Sequence, residues 1–203
     1  MEISIELVKD LRQRTGAGII DCKTALHESK GDVDAAIDYL RRKGLATAAK
    51  KAGRIATDGS VSSYIHAGGK MGVLVEINCE TDFVAKTEEF QSFVKNIAMH
   101  IAASNPQYIR REEIPAEVVE KEKDIYRTQA SESGKPAKVI DKIVEGKLER
   151  FYSEACLLEQ TYIKDSDLTV KEVFDAMIAK VGENITIRRF ARFQLGEGLQ
   201  SRS

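Results

Sequence analysis

The hydrophobic period of this chain changes from 3.6 to 2 near residue 60, returns to 3.6 near residue 88 and changes to 2 again near residue 185. Strand-like runs bracketed by long helical runs, rather than alternating with them one by one, predict an α+β fold. The first period-2 block is "SVSSYIHA" (60–67) and "MGVLVEIN" (71–78), parted by Gly68 and Gly69. A Gly-Gly turn between two such runs predicts an antiparallel hairpin, with Val73, Val75 and Ile77 on one side. The last block, "ITIRRFARFQLG" (185–196), puts Ile185, Ile187, Ala191, Phe193 and Leu195 on one side and reads as a strand completing the sheet.

Helical spacing governs the rest. Ser4 is placed to cap a helix carrying Leu7, Val8 and Leu11, which "TGAG" (15–18) then breaks. Ile19, Cys22 and Leu26 form the stripe of a second helix that stops at Gly31. Asp32 caps a third, with Val33, Ala36, Ile37 and Leu40 inward and Gly44 ending it. Ile20 falls about 100° off the stripe of its helix and is predicted exposed, either a lone surface isoleucine or a small apolar contact point. Phe90, Phe93, Val94, Ile97, Ala98 and Ile101 predict a helix lying against the hairpin, with Glu88 and Glu89 at its N-terminal end. Two more helices follow Pro115 and Pro136, and Thr169 and Glu172 have capping-box spacing before a last one that Gly182 ends. The expected organisation is a three-helix module (1–45), a small and basic linker (46–59), an α+β core whose antiparallel sheet packs on helices (60–195) and a tail (196–203).

Composition excludes several classes of function. Lysine plus arginine (31) nearly balances aspartate plus glutamate (32), so no global field draws nucleic acid or anionic lipid. The acidic, amphipathic N-terminus does not read as a signal peptide, and no run is long enough to span a bilayer, so a cytoplasmic location is expected, with no membrane partner. Cys22, Cys79 and Cys156 are scattered and odd in number, which points to reduced core fillers rather than disulfides or a zinc site. Gly16-Ala17-Gly18 and Gly68-Gly69-Lys70 lack phosphate-loop spacing, and His27, His66 and His100 stand alone. No catalytic residue, metal or cofactor is expected, and binding becomes the default class. Lys50, Lys51 and Arg54 offer a rival reading as an RNA-associated patch, although no aromatic platform accompanies them. A plain helical protein-interaction module is a second rival.

The stretch "NCETDFVAKTEEF" (78–90) decides what the core presents. If the following helix starts at Thr87, Phe83 lies in the connection and projects freely. If Thr81 is the cap, Phe83 falls seven residues before Phe90 on the same face and joins the core. Periodicity leaves both open.

"LRQRTGAGIIDCKTAL" (11–26), "GDVDAAIDYLRRKG" (31–44), "KKAGRIATDG" (50–59), "VEINCETDFVAKTEEF" (75–90) and "GENITIRRF" (182–190) closely resemble the bacterial translation elongation factor Ts family, in the family's order and over nearly the whole chain. The resemblance implies guanine nucleotide exchange on elongation factor Tu, in its GDP-bound and nucleotide-free forms, with no substrate chemistry. It implies that the N-terminal module is similar to a ubiquitin-associated domain and docks on the GTPase domain of the partner through Arg12, Ile19 and Ile20, positions where many relatives carry methionine in place of the two isoleucines. It also implies that Thr81, Asp82, Phe83 and Val84 form the motif whose phenylalanine wedges between helices of that domain while the acid helps displace the residues that hold Mg²⁺. Here "TEEFQSF" (87–93) runs straight into "VKNIAMHIAASNPQYI" (94–109), so the chain resembles the short form, with one core subdomain. Short relatives can pair, which suggests a homodimer in which the sheet of one copy stands in for the missing repeat of the other.

Overall fold

The computed structural model describes residues 3–132 and 136–198; residues 1–2 of the expected N-terminal module, 133–135 of the expected core and 199–203 of the expected tail lie outside the described residues. The elements are α1 (Ile5–Thr15), α2 (Ile19–Glu28), α3 (Val33–Lys51), β1 (Asp58–Ile65), β2 (Met71–Cys79), α4 (Asp82–Ala85), α5 (Glu88–Ser104), α6 (Ala116–Glu132), α7 (Ala137–Ala155), α8 (Val170–Val181) and β3 (Ile185–Gln194). The strands form one antiparallel sheet in the order β1-β2-β3, and the fold is α+β as the periods require. The chain divides into two compact units.

One unit comprises the segment ending at Val61 together with Glu76–Val94 and Glu172–Arg188. Leu11, Cys22, Ala25, Leu26 and Ala36 bury a small core among α1, α2 and α3, with Leu7, Val8, Ile37 and Leu40 packed around it. Ser4 accepts from the Leu7 amide and Asp32 from the Ala35 amide, so both expected caps are made. Gly16 closes α1 in the left-handed conformation (φ 67°), its amide donating to Arg12 O.

Gly44 does not end α3. The helix runs on to Lys51 because "LATAAKK" (45–51) is rich in helix formers, and one interior glycine costs only about 1 kcal/mol. Gly44 is buried, and a Cβ built on it would sit 3.7 Å from that of Ala179 on α8. Arg41 pairs with Glu172 at 3.5 Å and Lys51 donates to the Gly182 carbonyl at the end of α8, so two cations of α3 serve this packing. On β2 and β3, Ile77, Cys79, Ile185 and Ile187 are buried, and Phe93 of α5 meets Phe174 of α8 with ring centroids 5.6 Å apart.

The other unit comprises Ser62–Val75, Lys95–Lys171 and the segment from Arg189 onward. Gly68 and Gly69 turn the hairpin with φ of 89° and 68°, and the His66 amide donates to Met71 O across it. Val73 and Val75 are buried, as are Ile97, Ala98 and Ile101 on α5. Helices α6 and α7 pack on one another, and Arg111 is held by Glu149 and Glu159 while lying over the Tyr152 ring at 4.4 Å. His100 is fully buried: Nδ1 accepts from the Ile163 amide and Nε2 lies 2.9 Å from Gln160 Oε1, fixing a neutral tautomer.

The expected inward face of the last strand holds for Ile185 and Ile187 only. Arg188 and Arg189 are exposed in succession and interrupt the alternation. Beyond them Arg192 reaches inward, donating from Nε to Ala102 O at 3.1 Å, and Ala191, Phe193 and Leu195 are exposed. Period 2 cannot register such an interruption, because one slip exchanges the two faces.

Candidate functional site

The connection from β2 to α5 uses both candidate caps. Thr81, in extended conformation (φ −132°, ψ 154°), caps the single turn α4, its Oγ1 accepting from the Val84 amide at 3.4 Å. Thr87 then accepts from the Phe90 amide at 3.2 Å and donates to Val84 O at 2.8 Å, starting α5 afresh. The break between the two helices removes Phe83 from the stripe that begins at Phe90. Phe83 is 80% exposed, whereas Phe90 is fully buried. An aromatic ring left in water beside a well-packed core forgoes about 1.5–3 kcal/mol of burial.

Asp82 and Val84 flank the ring. Asp82 Oδ2 accepts from Lys86 Nζ at 2.6 Å, and this hydrogen bond and the lysine's charge hold the Asp82 carboxyl below the usual carboxylate range. Val84 is half-buried, and Ala85 is buried with its carbonyl accepting from Gln91 Nε2 at 2.6 Å. The turn therefore stands on Ala85 and presents Phe83 with an ionised acid beside it.

Below the turn, Glu183 Oε2 accepts from the amides of Glu80 (3.1 Å) and Thr81 (3.0 Å), and Oε1 from the Thr81 hydroxyl (2.7 Å). Glu80 returns the contact through Oε1, which accepts from the Asn184 amide at 2.6 Å and lies 3.6 Å from Arg54. Cys79 Sγ sits 3.1 Å from Thr81 O, and burial pushes its thiol up to about 11, which makes it an inert core group. Lys86 was legible as the i+4 partner of Asp82, but Glu183 is 102 residues from Thr81 and no local pattern joins them.

The second set of residues lies at the junction of α1 and α2. The Thr15 hydroxyl donates to Leu11 O and accepts from the Ala17 amide, and the extended Gly18 leads into α2. Ile20 is 81% exposed, as its off-stripe angle predicts. Ile19 departs from the stripe reading: it is 58% exposed, because the first residue of a helix has no preceding turn to pack beneath and the core of α2 begins at Cys22. Arg12 is exposed on α1. Two adjacent isoleucines at the start of α2 and an arginine in the last turn of α1 are thus exposed to solvent.

Other chemistry is sparse. Among the described residues no group of three His, Cys, Asp or Glu is arranged to hold a metal, and no helix is long and apolar enough to cross a membrane. All three cysteines are free and buried. Of the basic residues that suggested an RNA patch, Lys51 and Arg54 are engaged within the protein.

Comparison with known proteins gives a consistent result. The family model described as Elongation factor TS matches residues 40–197. Elongation factor Ts of Geobacter sulfurreducens is 60% identical over 202 residues, covering 100% of this chain and 94% of that protein. That of Carboxydothermus hydrogenoformans is 64% identical, covering 97% of this chain and 91% of that protein. The protein of the same name from Caldanaerobacter subterraneus subsp. tengcongensis is 65% identical, covering 98% and 99%. These relatives are close to the chain in length.

Proposed function

The chain belongs to the elongation factor Ts family, and on that premise we propose that it is the guanine nucleotide exchange factor of elongation factor Tu in translation elongation. In this reading it binds the GDP complex, opens the nucleotide site and leaves a nucleotide-free complex that GTP can enter. The N-terminal module (1–45) docks through Arg12, Ile19 and Ile20, and the turn Thr81–Val84 acts on the GTPase domain. The observation that carries the reading is the exposure of Phe83 on a capped turn with Asp82 ionised beside it.

A nucleoside diphosphate is held chiefly through its phosphates, a P-loop and a bridging Mg²⁺. A ring inserted between helices that carry those groups, with a carboxylate competing for the metal's surroundings, weakens the strongest electrostatic contacts together. By linkage GDP weakens the factor's binding by the same ratio. A ten-thousandfold mutual weakening needs about 5.5 kcal/mol of differential binding. Burial of one aromatic ring contributes about 1.5–3 kcal/mol, so the docking contact of the N-terminal module must contribute as well.

A second partner belongs to the same proposal. Ile65, Leu74, Phe193 and Leu195 are exposed on the hairpin and β3, around a shallow cavity of about 460 Å³ that Gly72 and Met71 also line. An apolar sheet face of this kind supports pairing with a second copy, sheet against sheet.

The test is the release of a fluorescent GDP analogue from elongation factor Tu at fixed Mg²⁺. A large acceleration that saturates with this protein supports the proposal. Unchanged release with a folded protein and a matched partner would overturn it.

A further inference from the structure

We propose that Glu183 is a positioning residue for nucleotide exchange: its carboxylate orients the Thr81 hydroxyl and the backbone beneath it, so that α4 presents Phe83 in one fixed direction. The inference rests on the reading of Phe83 as the wedge.

Helix α4 is one turn of four residues. A single turn fixes several dihedral angles for little hydrogen bonding and has no stability of its own. Its direction therefore depends on its tie points. The critical one is Thr81 Oγ1, which has one proton and two lone pairs. It lies 2.7 Å from Glu183 Oε1, whose carboxyl group already receives two amides through Oε2, and the hydroxyl donates its proton to Oε1. A lone pair is thereby left for the Val84 amide at 3.4 Å, which is the cap of α4. The carboxylate thus sets the rotor on which the cap depends.

The other oxygen acts on the backbone. Glu183 Oε2 receives the amides of Glu80 and Thr81, the two residues between the end of β2 and the start of α4. In the opposite direction Glu80 Oε1 receives the Asn184 amide at 2.6 Å, and Asn184 Nδ2 donates to Arg54 O at 2.7 Å. Glu183 thus receives two amides of the segment Glu80–Thr81, and Glu80 receives one amide of the segment Glu183–Asn184. Glu183 itself lies between Gly182, which follows α8 with φ 74°, and the buried Asn184 that precedes Ile185, the first residue of β3. The turn is consequently tied to the elements on either side and needs no ordering once the docked complex forms, so the tie bears on the exchange step more than on docking.

Glu183→Gln is the informative substitution, because it keeps shape and removes direction. Its single oxygen can serve either the two amides or the Thr81 hydroxyl, and its amide group, turned to Thr81, would donate and reverse the hydroxyl. The measurement is GDP release from elongation factor Tu across a range of factor concentrations for wild type, Glu183→Gln, Phe83→Ala and the double variant. The expected result is a plateau rate for Glu183→Gln lower by on the order of tenfold. The half-saturating concentration should change less, because Arg12, Ile19 and Ile20 are untouched. The double variant should be no slower than Phe83→Ala alone. A wild-type plateau for Glu183→Gln, or losses that multiply in the double variant, would overturn the role of Glu183 while leaving the wedge standing. A wild-type plateau for Phe83→Ala would overturn both. If Glu183→Gln fails to fold, Thr81→Val removes the same hydroxyl, and the same comparison with Phe83→Ala decides.

Discussion

Lys86 Nζ lies 2.6 Å from Asp82 Oδ2, one helical turn further along, so the acid next to Phe83 meets any partner already paired. The lysine's hydrogen bond, then its charge, depress the folded pKa of Asp82 below its ordinary 3.8. Whatever stability the pair adds is present above that value and is lost as pH falls through the depressed pKa. An NMR titration of the Asp82 carboxyl should give a midpoint below 3.8, and Lys86→Met should return it toward 3.8. A wild-type midpoint at or above 3.8 would contradict the pairing.

Two glycines should answer oppositely to alanine. Gly44 lies inside a helix with room for a methyl group against Ala179, so Gly44→Ala should raise stability by about 0.5–1 kcal/mol. Gly59 has φ +140°, and a Cβ there would overlap the Ile77 carbonyl oxygen and lie 2.7 Å from Asn78 Cα. Gly59→Ala should destabilise by more than about 1 kcal/mol. Urea unfolding of both variants checks the pair, and a loss at Gly44 or a gain at Gly59 would refute the respective packing.

These glycines also mark what the sequence could and could not convey. Caps at Ser4 and Asp32, the inward residues of β2 and the stripe of α5 were legible because each is set by neighbours within a turn or two. Gly44 misled because a glycine can end a helix or sit inside one, and only its approach to Ala179 tells which. Phe83 stayed ambiguous because Thr81 and Thr87 are equally good caps and the protein uses both. The outward turn of Phe193 and the clasp of Glu183 on Thr81 depend on a strand irregularity and on a pairing across 102 residues, neither of which leaves a local periodic trace.

His100 should make the protein acid-sensitive. Burial lowers its pKa below 6.5, while the hydrogen bond to Gln160 acts the other way. The unfolded chain takes up the proton near 6.5 and the folded one only at lower pH, so stability present above pH 6.5 declines as pH falls through the folded pKa, by up to about 1.4 kcal/mol per pH unit. Comparing urea unfolding at pH 7 and 5.5, wild type should lose more than His100→Gln. Equal losses would contradict the buried neutral ring.

The exposed sheet face gives a prediction about assembly. Phe193→Glu places a charge among Ile65, Leu74 and Leu195 and should shift a concentration-dependent dimer to monomer in sedimentation, without a loss of folded structure. A wild-type protein that stays monomeric at all accessible concentrations would remove the basis for pairing through this face.

The proposed use of Phe83 on a partner requires that the ring contribute nothing to the core. It is tested most directly by measuring, on one preparation of Phe83→Ala, both urea unfolding and the saturated rate of GDP release from elongation factor Tu. Phe83→Ala should keep stability within about 0.5 kcal/mol of wild type while losing most of the exchange activity. A stability loss of about 3–5 kcal/mol, as for a core phenylalanine, or an unchanged release rate, would contradict it.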